Sequence, residues 1–321
     1  MISLSIGEVP VGVSVLSDTY GKIEEAVTGM CRGFEGDGEE ADTRLSITPL
    51  PDVSLDRVYR RNGRFEESRK RIEARFPCIP LERGKSGSIP GRMAFWRMKK
   101  KGLPPVPELP EEDGRQRVVL VPGGDFILSV DMEEDTAWAV MTGKGTPGYG
   151  VTGMFIVQAL VSMLLGDRDG AMFHGSAVNL NGKGHLFLGI SGAGKSTVAR
   201  RFSRDLIISD DGVVCRRVGG RFLLFPTPFT QVRNTRPVGV GGVPLERMYF
   251  LVKDERDVLA PVSPGAALVK ILTSHIHFFR FLDDEGAMRV FRLIEDLVKS
   301  VSVRDFHFTR TFDPDIVITE G

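Results

Sequence analysis

The octapeptide Gly189–Ile190–Ser191–Gly192–Ala193–Gly194–Lys195–Ser196 constrains this chain more than any other stretch. It fits G-x-x-x-x-G-K-[ST] at every fixed position. Its flanks fit as well. Residues 185–188 read as an apolar strand entering the loop, and residues 197–202 as the helix leaving it. Glycines let a backbone wrap round a polyphosphate where side chains would block the approach. Inward-pointing loop amides make an anion nest, and the helix N-terminus adds partial positive charge. Lys195 is placed to reach the β- and γ-phosphates, and the Ser196 hydroxyl to sit on Mg²⁺. Gly189, Ser191, Gly192, Ala193, Gly194, Lys195, Ser196 and Thr197 are therefore the candidate nucleotide-binding residues.

The neighbouring sequence narrows the fold further. Two apolar runs, 176–180 and 183–188, flank Asn181–Gly182. An Asn-Gly pair in that setting is the strongest short-range hairpin signal. The strand feeding the loop is thus expected to be antiparallel to its predecessor, whereas common phosphate-loop NTPases use a mainly parallel sheet. Downstream, residues 206–209 read as a buried strand running into Asp210–Asp211. A lone aspartate at a strand end is often a turn former. Two adjacent ones just after such a loop are better explained by Mg²⁺ binding or base catalysis.

The 321 residues suffice for two domains. We divide the chain into an N-terminal α+β domain, 1–145, and a nucleotide domain, 146–321. The role of the first is open between acceptor binding and regulation. It contains a proline-rich, acidic, linker-like segment at 104–114. Alternation of Ile2, Leu4 and Ile6, and of Val11, Val13 and Val15, predicts two strands. Ser17 or Asp18 caps an expected helix carrying Ile23, Val27 and Met30. Residues 33–43 read as an acidic loop. Arginines and glutamates interleave through 60–75, which favours a solvated helix face over a nucleic-acid patch. The basic cluster at 97–101 reads as a surface turn. Runs at 117–121, 126–130 and 137–141 predict an antiparallel meander. A glycine-rich loop at 144–150 precedes a buried helix at 154–165. Strands are expected at 222–225, 248–252, 306–308 and 316–318, and helices at 266–272 and 286–301. Arg233 and Arg236 lie where a mobile arginine could close over phosphate, and an ordinary surface loop is an equal reading.

Composition excludes some classes. There are 42 basic and 42 acidic residues, so no global charge recruits nucleic acid or a membrane surface. Three cysteines, Cys31, Cys78 and Cys215, form no C-x-x-C pair, so neither a zinc site nor a disulfide framework is indicated. Reduced thiols fit a cytoplasmic protein. The N-terminus lacks a basic region followed by an apolar run, so no secretory leader is expected. The longest apolar stretch, 154–165, is too short to span a bilayer.

Three groups of residues together resemble a known family. They are His174–Gly175–Ser176–Ala177–Val178, then residues 189–196, then Ser209–Asp210–Asp211. In order and spacing they resemble the catalytic domain of HPr kinase/phosphorylase, a group akin to phosphoenolpyruvate carboxykinase. The resemblance covers roughly 150–320 and says nothing of 1–145. It implies an α/β fold with a mixed sheet, of the HPr kinase/phosphoenolpyruvate carboxykinase type. It implies ATP and Mg²⁺ as donor and metal, with Lys195 holding the transferred phosphate and Ser196 the metal. Asp211 would be the base that takes the proton of a substrate hydroxyl, and Asp210 would assist metal or water binding. His174 matches the family's active-site histidine in its distance from the loop. The other four histidines receive no role. Related kinases form oligomers, so a homo-oligomer is compatible.

The departures matter. Bifunctional members carry a Glu-, Arg- and Gly-rich signature loop, whereas residues 237–243 here hold no acid. HPr itself and phosphorolysis are therefore disfavoured as substrate and reaction. The chain better resembles the looser set of HPr-kinase-related proteins, which includes kinases acting on free serine or on serine in a peptide. The expected function is ATP-dependent phosphorylation of a hydroxyl, with a small molecule, peptide or protein as partner. The alternative is a regulatory module that binds ATP without turnover. A motor or transporter ATPase is disfavoured, because the acids follow the loop closely and no LSGGQ-like signature occurs.

Overall fold

The structure is a computed structural model that describes residues 2–15, 27–29, 31–34, 36, 43–49, 116–120, 126–131, 136–141, 146–229, 241–279, 282 and 284–319. Outside them lie the expectations for 60–75, 97–101 and 104–114, for Cys78, and for Arg233 and Arg236. Of the helix expected after Ser17, only the helical residues 27–29 are described.

The protein is α/β with mixed sheets. Strands β1 (Ile2–Ile6), β2 (Val9–Val15), β3 (Thr43–Pro49), β4 (Gln116–Leu120), β5 (Phe126–Asp131) and β6 (Thr136–Met141) form a six-stranded sheet in the order β1-β2-β3-β6-β5-β4. β4, β5 and β6 make the expected antiparallel meander. β3, which the reading above omits, lies parallel to β6. Its alternating Leu45 and Ile47 are buried. Helix α1 (Thr146–Gly166) starts earlier than expected and takes in the glycines at 148 and 150. Its run from Ile156 to Leu165 is buried on nearly every side, and a helix enclosed all round needs no polar face to define it.

The chain divides into two compact units: residues 1–2, 12–29 and 40–160, and residues 3–11, 30–39 and 161–321. The second holds an eight-stranded sheet. Its strands are β7 (Gly170–Leu180), β8 (Lys183–Leu188), β9 (Ile207–Ser209), β10 (Gly212–Val218), β11 (Arg221–Phe225), β12 (Val243–Lys253), β13 (Val258–Pro261) and β14 (Ser302–Phe308). The order is β11-β10-β7-β8-β12-β14-β13, with β9 paired to β7. β11 also pairs with the start of β12, so β7, β8, β12, β11 and β10 close a five-strand ring.

Local chemistry explains the elements that matter. Asn181 and Gly182 take positive φ, 55° and 82°, as a two-residue hairpin turn requires. β7 and β8 are antiparallel, as expected, while β8, β12 and β14 run parallel. Helix α2 (Lys195–Ala199) is short. Helix α3 (Pro264–Ser274) begins with Pro264 after Ser263, whose hydroxyl accepts from the Ala266 amide, a standard N-terminal cap. Helix α4 (Asp284–Ser300) buries Val290, Ile294 and Leu297 along one face. Residues 316–318, expected as a strand, are helical in α5 (Asp315–Thr319). There Asp313 Oδ1 accepts from the Asp315 amide, and the Val317 amide donates to the Pro314 carbonyl. Three apolar residues carry no period of their own, and the Asp-Pro-Asp turn decides.

A cluster of Val178, Phe187, Val198, Phe202, Tyr249, Phe306, Phe308, Phe312 and Val317 packs on one face of this sheet beneath α2. Among the described residues, no helix is long and apolar enough to cross a membrane.

Candidate functional site

Three segments distant in sequence meet at Gly175. Its Cα partner across the hairpin is Leu188, the last residue before the glycine-rich loop. Its amide donates to the Asp211 carbonyl at 2.9 Å. A Cβ here would lie 2.8 Å from the Phe187 carbonyl oxygen, so only glycine fits between the strands. One residue earlier, His174 pairs in register with Gly212. That register brings His174 Nε2 within 3.2 Å of Asp211 Oδ1. Both side chains keep about a quarter of their surface exposed, 27% and 25%.

The loop itself is shaped by glycines. Gly192 and Gly194 take left-handed φ, 80° and 109°. A Cβ on Gly194 would also stand 2.6 Å from the Phe308 ring. Ser191 and Gly192 are exposed, Ala193 and Ser196 half-buried, and Thr197 exposed. Lys195 is buried at 7% exposure. Its ammonium donates to the Gly189 carbonyl at 2.8 Å and the Ile190 carbonyl at 3.2 Å. Burial lowers the Lys195 pKa, against the opposing pull of the Asp211 charge. A buried ammonium held only by loop carbonyls suits an anion that would replace them. The Ser176 hydroxyl donates to the Lys195 carbonyl at 3.3 Å and ties the start of α2 to β7.

The aspartate pair is pinned through its main chain. The Gly212 carbonyl accepts from the Ser209 and Thr227 hydroxyls, both at 2.6 Å. The Gly212 amide donates to the Phe229 carbonyl. Asp210 is buried at 1% exposure, whereas Asp211 faces partly outward. Burial pushes the Asp211 pKa up. The His174 hydrogen bond and the charges of His174, His277 and Lys195 outweigh it, so the net shift is downward.

Among the described residues, no group of three or more His, Cys, Asp or Glu converges to hold a metal ion alone. Mg²⁺ carried on phosphate oxygens needs only one or two protein ligands and keeps waters.

Two residues given no role from sequence also belong here. After α3 the chain runs back along β7: Ile276 bridges Phe173 antiparallel. The His174 amide donates to the His275 carbonyl, and the His277 amide to the Met172 carbonyl. The His277 ring lies 5.0 Å from the His174 ring. Both His275 and His277 have pKa values lowered to about 4, first by burial and then by the His174 charge. Their only sequence signal was the His-Ile-His spacing after a helix. His185 is different: it sits in the core, 3.1 Å from the Tyr249 hydroxyl. His307 pairs with Asp254 at 2.8 Å.

The structure thus brings His174, Asp211 and Lys195 into one electrostatic neighbourhood, with the loop at its edge. Comparison with protein-family models and with curated proteins returns no match for this chain.

Proposed function

We propose that the chain is an ATP-dependent phosphotransferase with an HPr-kinase-like phosphate loop, acting on a hydroxyl, with serine, free or in a peptide, as the favoured acceptor. The observation that carries the reading is the Asp211 carboxylate, held by His174 and lying within the field of the buried loop lysine. Phosphoryl transfer asks chiefly for positioning and charge neutralisation.

The residues divide that work. The loop amides of 189–196 and the Lys195 ammonium hold the donor's phosphate oxygens. Ser196 and Asp210 would hold Mg²⁺, which when bound neutralises phosphate charge. Asp211 takes the proton from the acceptor hydroxyl as the new oxygen–phosphorus bond forms and the bond to the leaving diphosphate breaks. With its pKa depressed, Asp211 is a weak base, so the proton moves late. His174 donates to Oδ1 and keeps the carboxylate aimed.

The test is ATP consumption by the purified protein with Mg²⁺, with and without L-serine, followed by mass spectrometry of the acceptor. The expected result is phosphoserine formation that disappears in Asp211→Asn. Tight ATP binding with no turnover on L-serine, peptides or cell extract would favour the regulatory module instead. Absence of nucleotide binding would end the reading.

A further inference from the structure

His277 lies on the same edge of β7 as the root of the loop. Residues 175–180 of that edge pair with β8, and Phe173, just beyond, pairs with Ile276. In this register His275 lies opposite His174 and His277 opposite Met172, just beyond the end of the β8 pairing. The His277 ring lies close enough to the Asp211 main chain for it to favour the protonated ring, against the larger effect of burial. Among the described residues, His277 Nε2 is buried and has no hydrogen-bond partner, which leaves Nδ1 as the nitrogen facing the Asp211 carbonyl. Burial keeps the ring neutral at ordinary pH, so Nδ1 carries the proton and Nε2 a lone pair.

A buried nitrogen without a partner carries an unrecovered desolvation cost. An apolar side chain of similar shape would avoid that cost. A position that retains the cost, beside a carboxylate and another histidine, calls for a role other than packing. The carbonyl that His277 faces also accepts from Gly175, and its ring backs His174. It touches both members of the His174–Asp211 pair from behind.

We propose that His277 is a positioning residue: Nδ1 fixes the Asp211 main chain, the ring face supports His174, and together they hold the carboxylate at a set geometry. This rests on the phosphotransfer reading for its catalytic consequence. It predicts that the ring's donor matters more than its bulk.

Two variants separate those properties. His277→Asn keeps a donor near the Nδ1 position, and His277→Phe keeps the ring but not the donor. Amide hydrogen exchange is read at 174–175 and 209–212, with 189–196 as the internal control. Binding of a fluorescent ATP analogue and Mg–ATP turnover with L-serine are measured alongside. In His277→Phe, exchange rises at the first two segments only. Turnover at saturating nucleotide falls by about tenfold or more, while analogue affinity stays within about threefold. His277→Asn restores exchange protection and most of the turnover. Unchanged exchange in His277→Phe overturns the proposal. So does an asparagine variant no better than the phenylalanine one, or a rise in exchange spread through all segments. Failure of the wild-type protein to bind the analogue overturns the nucleotide reading instead, and the exchange data still decide whether His277 holds Asp211.

Discussion

Two regions of the second unit hold a histidine whose pKa is lowered first by burial and treat it differently. His185 on β8 and His277 beside β7 both have pKa values lowered to about 4, with burial the first cause. On the core side, His185 shares a hydrogen bond with Tyr249 and stacks on its ring. On the loop side, His277 leaves a nitrogen unpartnered next to His174 and Asp211. Burial alone does not distinguish a structural imidazole from one placed for chemistry. The neighbours do: His185 shares its hydrogen bond with a core hydroxyl, whereas His277 stands beside the His174–Asp211 pair.

The contrast can be broken most sharply at Asp211. Asp211→Asn should reduce Mg–ATP turnover by about 10²–10⁴-fold, the usual contribution of a general base, while leaving the urea midpoint nearly unchanged. Comparable loss from His185→Leu would erase the distinction between the two regions. Gly194→Ala comes next. A left-handed conformation forced on alanine costs about 1–3 kcal/mol, and the new methyl must displace the Phe308 ring. Urea unfolding should show at least that loss, with weaker binding of the ATP analogue. His185→Leu removes one partner of the Tyr249 hydroxyl and should cost about 0.5–1.5 kcal/mol with turnover unaltered.

Acid offers a further handle on both regions at once. The folded state keeps His185, His275 and His277 neutral down to about pH 4, against the ordinary histidine value of 6.5. The unfolded chain binds protons in that window that the folded chain refuses. Their contribution to stability is therefore complete above about pH 6.5 and declines as pH falls toward 4. Urea midpoints measured across this range should drop, and His185→Leu should flatten the slope by roughly a third. The smallest effect belongs to the surface. Lys183 and Glu246 pair at 3.1 Å with half their surfaces in water, so Glu246→Gln should shift stability by less than about 1 kcal/mol.

What was legible in the sequence was local. Asn181–Gly182 announced its turn through two residues, and the loop announced itself through eight. The alternation of Leu45 and Ile47 was visible too, but a strand pairing with β6 far along the chain leaves no local trace of its partner. β10 went unread because Gly212 follows directly on the aspartates and its neighbours Arg216 and Arg217 look like surface. Arg216 in fact donates to the Gly7 carbonyl and pairs with Glu8. The bridge from Phe173 to Ile276 is the extreme case. The histidines at 275 and 277 received no role because the edge they join is built from a segment a hundred positions earlier. Asp211 was readable as one of an acidic pair just after the loop and His174 only through a resemblance in spacing, and their 3.2 Å approach is a product of strand register.

Phe308, the ring against Gly194, has a consequence for how the protein is made. It is translated long after the loop it supports, on the order of ten seconds later at ordinary elongation rates. The same holds for Phe306, Phe312 and Val317. On the ribosome, residues 189–196 therefore emerge without their floor and must wait for β14 before the loop can settle. Slow elongation through 200–300 should therefore prolong the interval in which an exposed glycine-rich segment is open to proteolysis.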